Sequence, residues 1–216
     1  MKNYIKPEEY VELDEYAKIN DNPLGRFLHK KRFGTINKLV KKYSYKNDEI
    51  LDMCCGLCEW NIDKIKIKGL DVNKKALEIA QKSGRIREII LSDALKNKLA
   101  DNSFNMIISS QALEHLEKPS IMLKEFKRLL KKGGILVIAV PYDTFFSLIR
   151  PLMFMRYIWD GIIKGNKYFL NKGGHINHFS PKSLSILLKK NNFSILKIVN
   201  DFRFTFTIVA QNMKNE

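Results

Sequence analysis

Short apolar runs that close on an acid or a small polar residue alternate along this chain with runs of helical spacing. Glu49–Met53 carries Asp52 near its end, and Lys66–Val72 carries Asp71. Glu88–Leu91 leads into Ser92-Asp93-Ala94, Ser103–Ser109 leads into Ser110-Gln111, and Ile135–Val140 is closed by Pro141. Runs this short and this apolar predict strands buried on both faces, which belong to parallel sheets. The intervening segments predict helices. Residues 33–43 have apolar positions at helical spacing, and Asn73 is an N-cap for a helix to about Lys82. Pro119 opens a helix through Leu130 that Gly133-Gly134 should stop, and Ser180-Pro181 opens another to about Asn191. The chain then changes habit. Phe193–Asn200 and Phe202–Gln211 are consecutive strands around Asp201, and so short a link requires an antiparallel pair. The expected fold class is therefore α/β, three layers around an open, mostly parallel sheet with one antiparallel strand.

In such a sheet a ligand lies beyond the carboxyl ends of the strands, near the point where strand order reverses. Asp52, Asp71, Asp93 and Ser109-Ser110-Gln111 all fall at such ends. After Asp52 the chain enters Met53-Cys54-Cys55-Gly56-Leu57-Cys58, read as a loop of small residues running into a helix. Small side chains let backbone N–H groups approach a ligand, and a helix N-terminus favours an anionic group. Asp71 at the end of the next strand can accept hydrogen bonds from both hydroxyls of a ribose. Taken singly, each of these is also an ordinary turn or an ordinary N-capping acid.

Net charge narrows the partners. The 216 residues sum to +15, but the excess is uneven: −3 over 1–24, +8 over 25–47, +3 over 48–142 and +7 over 143–216. A nearly neutral middle with basic flanks argues against a uniform nucleic-acid coat. The three cysteines, Cys54, Cys55 and Cys58, are too clustered for a disulfide framework, and with no secretory signal at the N-terminus the expected compartment is cytoplasmic. No stretch is long and apolar enough for a transmembrane helix.

In order along the chain, Asp52-Met53-Cys54-Cys55-Gly56, Gly69-Leu70-Asp71-Val72-Asn73, Ser92-Asp93-Ala94, Ser109-Ser110-Gln111-Ala112-Leu113-Glu114-His115-Leu116, Leu129-Leu130-Lys131-Lys132-Gly133-Gly134 and His178-Phe179-Ser180-Pro181 resemble the landmarks of class I S-adenosylmethionine-dependent methyltransferases. The resemblance is to the small-molecule type, similar to the ubiquinone/menaquinone biosynthesis group, and spans roughly residues 29–211. It implies a Rossmann-like seven-stranded sheet with a small helical cap. The implied organisation is a single methyltransferase domain: an N-terminal helical segment (1–47), a cofactor-binding core (48–142), a cap insertion (143–180), and a last helix with the terminal strand pair (181–216).

The implied cofactor is S-adenosyl-L-methionine. Asp52 and the turn through Cys54 and Gly56 would hold its amino acid end, with Arg32 meeting the carboxylate. Asp71 would hold the ribose with Val72 against the adenine. Asp93 would read the adenine amino group beside Ala94, and Ser110 and Gln111 would line the floor near the sulfonium. The family usually has three glycines in the first loop; here only Gly56 remains, between Cys54 and Cys58.

His115 after strand four is the candidate general base, or else a helix-start residue satisfied by backbone. Tyr142, His175 and His178, with Asp143, fall where the family builds its acceptor pocket. Cys55-Gly56-Leu57-Cys58 is formally a C-x-x-C, but no second cysteine pair exists, and no metal is expected. Residues 144–163 are apolar on nearly all faces, with Arg150 and Arg156. They are read as a cap over the acceptor site, with peripheral membrane contact as one use and simple packing or a dimer interface as the other. The expected reaction is methyl transfer to a small molecule or biosynthetic intermediate (sugar, lipid or quinone-like). The alternatives are an RNA or protein acceptor bound by the basic flanks, and a catalytically inactive fold that binds partners.

Overall fold

The computed structural model describes residues 23–143 and 175–213, together with residues 151, 154–155, 157–163 and 165. The first 22 residues and most of the expected cap, including Arg150 and Arg156, lie outside the described residues. Helix α1 (Pro23–Tyr43) precedes strand β1 (Ile50–Met53). Then follow β2 (Lys68–Asp71), α2 (Lys74–Lys82), β3 (Glu88–Leu91), β4 (Phe104–Ser110), a 3₁₀ turn (Leu113–His115), α3 (Pro119–Leu129) and β5 (Leu130–Pro141). After a π-helical turn (Tyr157–Ile163) the chain closes with α4 (Pro181–Lys190), β6 (Phe193–Asp201) and β7 (Thr205–Asn212).

The seven strands form one sheet in the order β3-β2-β1-β4-β5-β7-β6. Pairs among β1 to β5 are parallel, and β7 runs antiparallel to both β5 and β6. The single reversed strand is thus β7, as the short link after β6 requires. Strand order reverses between β1 and β4, so the loops leaving these two strands part and open the crevice.

Both faces of the sheet are covered, which is why the strands read as continuous apolar runs. Leu51, Met53, Ile107, Leu136 and Ile138 pack on one face against Met122, Leu123 and Phe126 of α3 and Leu184 and Leu188 of α4. Ile50, Met106, Ile108, Val137 and Ala139 pack on the other against Ile36 and Val40 of α1 and Leu77 and Ala80 of α2. In β7 the threonines Thr205 and Thr207 are as buried as Phe206 and Ile208, because this strand is interior to the sheet. The caps form as expected. Asn73 accepts from Ala76 N, and Ser180 and Ser183 make a reciprocal capping box.

Two expectations are corrected. No helix follows the first loop. Residues 54–67 form successive turns, held by Trp60 on Asp52 and by Asn61, whose side chain bonds the backbone of Ile65 and Arg85. These side-chain bonds to backbone replace the ones a helix would make. Gly133-Gly134 does not stop α3 either. The helix ends at Leu129, and β5 has already begun. The glycines sit in an irregular stretch of that strand, where the pairing with β4 shifts register. Gly133 has φ +74°, and a Cβ on Gly134 would lie 2.9 Å from Lys131 O and 3.1 Å from Asn105 O. Gly134→Ala should therefore destabilise the protein by about 2 kcal/mol through overpacking against backbone. A urea midpoint equal to wild type would contradict this.

Candidate active site

The loop after β1 hangs from β2. Leu70 O accepts from Cys54 N (2.8 Å) and Cys55 N (3.1 Å). The Asp71 carboxylate accepts from Gly56 N at 2.8 Å and, through its other oxygen, from Asn73 N at 2.9 Å. To follow this path the chain turns left-handed three times, at Cys54 (φ 62°), Gly56 (φ 50°) and Cys58 (φ 49°). These are the positions where the resembling family carries glycine. The two cysteines bear a backbone cost of about 1–2 kcal/mol each.

Four acids gather around this loop. Burial, and then Asp71, Asp52, Asp93 and Glu114, push the Cys54 thiol well above its ordinary range. Burial and neighbouring acids raise Cys55 and Cys58 as well. This environment disfavours the thiolate form at all three cysteines. Cys55 Sγ faces Gly56 O and Cys58 Sγ faces Arg85 O, both weak sulfur contacts of the turn itself.

Asp52 is 1% exposed and lies beneath the loop. Its Oδ2 accepts from Trp60 Nε1 at 2.7 Å, and its Oδ1 has no hydrogen-bond partner. Burial pushes this carboxyl up to about 7 against the pull of the Trp60 hydrogen bond. Beyond β3, Asp93 Oδ1 accepts from Leu95 N at 2.8 Å, and Ala94 is buried beside it. Val72 is half-buried after Asp71. At the end of β4, Ser110 is half-buried, and Gln111 turns left-handed (φ 59°) with its N–H donating to Ala139 O.

A second group assembles around the turn after β4. Glu114 is 1% exposed on the 3₁₀ turn, with both carboxylate oxygens lacking a hydrogen-bond partner. Burial pushes it up to about 7, opposed by His175 and, more weakly, Arg32. The Glu114 carbonyl accepts from Ile176 N (2.8 Å) and Asn177 N (2.9 Å), which ties the segment from His175 onward to this turn. The His115 and His175 rings meet edge-on at 5.1 Å. Asp143, just past β5, pairs with His178 Nδ1 at 2.5 Å and stands 3.6 Å from His175 Nδ1. Tyr142 packs edge-on against Phe206. Arg32 is buried with its guanidinium over the Phe33 ring.

Comparison with known proteins gives this arrangement its family. A family profile described as a methyltransferase domain matches residues 51–138. The ubiquinone biosynthesis O-methyltransferase of Pelagibacter ubique is 24% identical, over 87% of this chain and 85% of its own length. The demethylmenaquinone methyltransferase of Bacillus pumilus is 32% identical over 53% of this chain and 62% of its own length. An S-adenosylmethionine-dependent methyltransferase structure from Methanosarcina mazei superposes with a TM-score of 0.59 at 24% identity, covering 82% of this chain and 98% of that one. Residues 51–138 thus match a methyltransferase domain, and these likenesses together support a class I S-adenosylmethionine-dependent methyltransferase. It is an enzyme of that class, and its fold is the family's seven-stranded sheet.

For this methyltransferase the structure brings the sequence candidates together in two groups. Asp52, Cys54, Gly56, Asp71, Val72, Asp93 and Ala94 gather at the ends of β1 to β3, and Ser110 and Gln111 end β4. His115, His175 and His178 gather with Glu114 and Asp143, and Tyr142 directly precedes Asp143. Sequence reading missed Glu114 as more than a motif letter. The signal was an acid placed directly after the apolar Ala112-Leu113. It also missed Trp60, whose pairing with Asp52 no spacing rule announces.

Two buried carboxyls make stability depend on pH. Glu114 ionises near 4.5 in the unfolded chain and near 7 when folded; for Asp52 the values are 3.8 and 7. Their favourable contribution is full below the unfolded values and is lost as pH rises through about 7. The unliganded protein should therefore lose stability between pH 5 and pH 8. Glu114→Gln should flatten that decline by up to ~3 kcal/mol. Denaturant titrations across this range check it, and parallel wild-type and variant curves would contradict it.

Proposed function

We propose that this methyltransferase methylates a hydroxyl of a small aromatic, quinone-type biosynthetic intermediate. The observation that carries the reading is the Asp143–His178 pair at 2.5 Å, set just beyond β5. A hydroxyl must lose its proton as it attacks a methyl group, and an imidazole oriented by a carboxylate can take it. The names of the relatives above, one an O-methyltransferase of ubiquinone biosynthesis and one a demethylmenaquinone methyltransferase, favour a quinone-type acceptor, and the first favours its hydroxyl.

The donor side fits S-adenosyl-L-methionine, which supplies the electrophilic methyl group when bound. Asp71 is already oriented by two backbone N–H donors and keeps lone pairs for both ribose hydroxyls. Asp52 Oδ1 is an orphaned buried acceptor beneath the turn that would hold the amino acid end with Cys54 and Gly56. The carboxylates of Asp71 and Asp93 near Cys54 suit a cationic sulfonium. Val72 and Ala94 supply apolar contact for the adenine and Asp93 its polar partner. Ser110 and Gln111 close the floor, and Arg32 is the cation available for a carboxylate. On the acceptor side Tyr142 offers an aromatic wall, and His115 and His175 flank the base.

Calorimetric titration with S-adenosylmethionine should show binding, weakened about 10- to 100-fold by Asp71→Asn. Incubation with a panel of catechols and hydroquinones should release S-adenosylhomocysteine. His178→Ala should lower kcat by about 10²-fold while leaving cofactor affinity in place. Turnover of RNA or protein instead of the phenols would overturn the acceptor assignment. Absence of cofactor binding at millimolar concentration would overturn the whole reading.

A further inference from the structure

Glu114, His115 and His175 each offer a ligand atom, and these three atoms all lie within 4.8 Å of one another. Among the described residues this is the one such group of acid, histidine and cysteine side chains. We infer that it is a divalent transition-metal site at the acceptor side of the crevice, of the two-histidine, one-carboxylate kind.

Three features separate it from a chance cluster. The Glu114 carboxylate is 1% exposed, and neither oxygen has a hydrogen-bond partner. A buried acceptor left in that state is costly, and a cation is the partner that satisfies both oxygens at once. Next, the ligands are fixed from behind. The Glu114 carbonyl takes Ile176 N and Asn177 N, and the Asn177 side chain donates to Leu116 O, so the strap carrying His175 is bolted to the turn carrying Glu114 and His115. Finally, Asp143 Oδ2 stands 3.6 Å from His175 Nδ1, a carboxylate beside one of the two imidazoles of the set. A carboxylate behind a ligating histidine is the common outer partner in metal sites.

The geometry needs little adjustment. Ligands at about 2.1 Å from a metal stand no more than ~4.2 Å apart, so small side-chain shifts close the set. Three protein ligands leave positions open, as in sites that bind substrate rather than merely brace a fold. If the acceptor is a phenol, which rests on the function proposed above, an open position would take its oxygen and ease loss of its proton. Arg32 acts against cation binding, since its charge is felt at Glu114, and Asp201 feels the same charge from the other side.

Co²⁺ is the probe. Titrated into the whole protein, it should bind at one per chain, with the visible d–d absorption of a nitrogen- and oxygen-ligated ion and no thiolate charge-transfer band. Glu114→Gln and His175→Ala should each weaken binding at least 10-fold. His115→Ala, at a half-exposed position that folding tolerates more readily, should do the same. Binding that survives all three substitutions, or a thiolate band from Cys54, Cys55 or Cys58, would overturn the site. S-adenosylmethionine titrated on the same samples keeps the two proposals apart. Cofactor binding without Co²⁺ binding removes only the metal site, and Co²⁺ binding without cofactor binding removes only the proposed function.

Discussion

One carbonyl, Leu70 O, holds the loop on which the cofactor side is built. It accepts two successive N–H groups from the neighbouring strand's exit, and the next residue, Asp71, takes a third through its side chain. A chain leaving β1 can reach all three only by curling back, and the curl is what places Cys54, Gly56 and Cys58 in left-handed conformations. Gly69 lets the strap lie close: a Cβ there would stand 2.9 Å from Cys55 Sγ and from Ile86. The bare strand end, the strained turn and the pre-oriented Asp71 are therefore one arrangement rather than three.

What was legible in the sequence follows from locality. The strands, the Asn73 and Ser180 caps and the acids at strand ends depend on residues a few positions apart and lie where the pattern puts them, except that the last strand begins at Thr205 after a turn through Phe202 and Arg203. What was illegible depends on contacts that form only after folding. Gly133-Gly134 reads as a helix stop, yet it becomes an irregularity of β5 because Leu130 is drawn fully into the core one residue after α3 ends. The small-residue loop reads as a helix entrance, yet Trp60 and Asn61 divert it into turns. His175 meets the Glu114 turn only because its strap crosses from a distant part of the chain.

The site keeps acids where water cannot reach them. Asp52 and Glu114 are both buried near the Cys54 loop, each with unused acceptor capacity and each reluctant to ionise. A fold selected for stability alone would replace them with apolar side chains of similar size. Their presence marks positions where binding, rather than folding, supplies the missing partner.

The reversed strand has a consequence for how the molecule is made. β7 comes after β6 in the chain but lies inside the sheet, between β5 and β6, pairing with β5 from Ile135 to Pro141. Until Thr205–Asn212 has emerged from the ribosome, β6 has no neighbour and the last parallel strand shows an open edge. Synthesis thus delivers the cofactor half as a sheet that can close early, and leaves the far side waiting for β7. During that interval the unpaired edge of β5 is the part of the nascent chain most open to pairing with another copy.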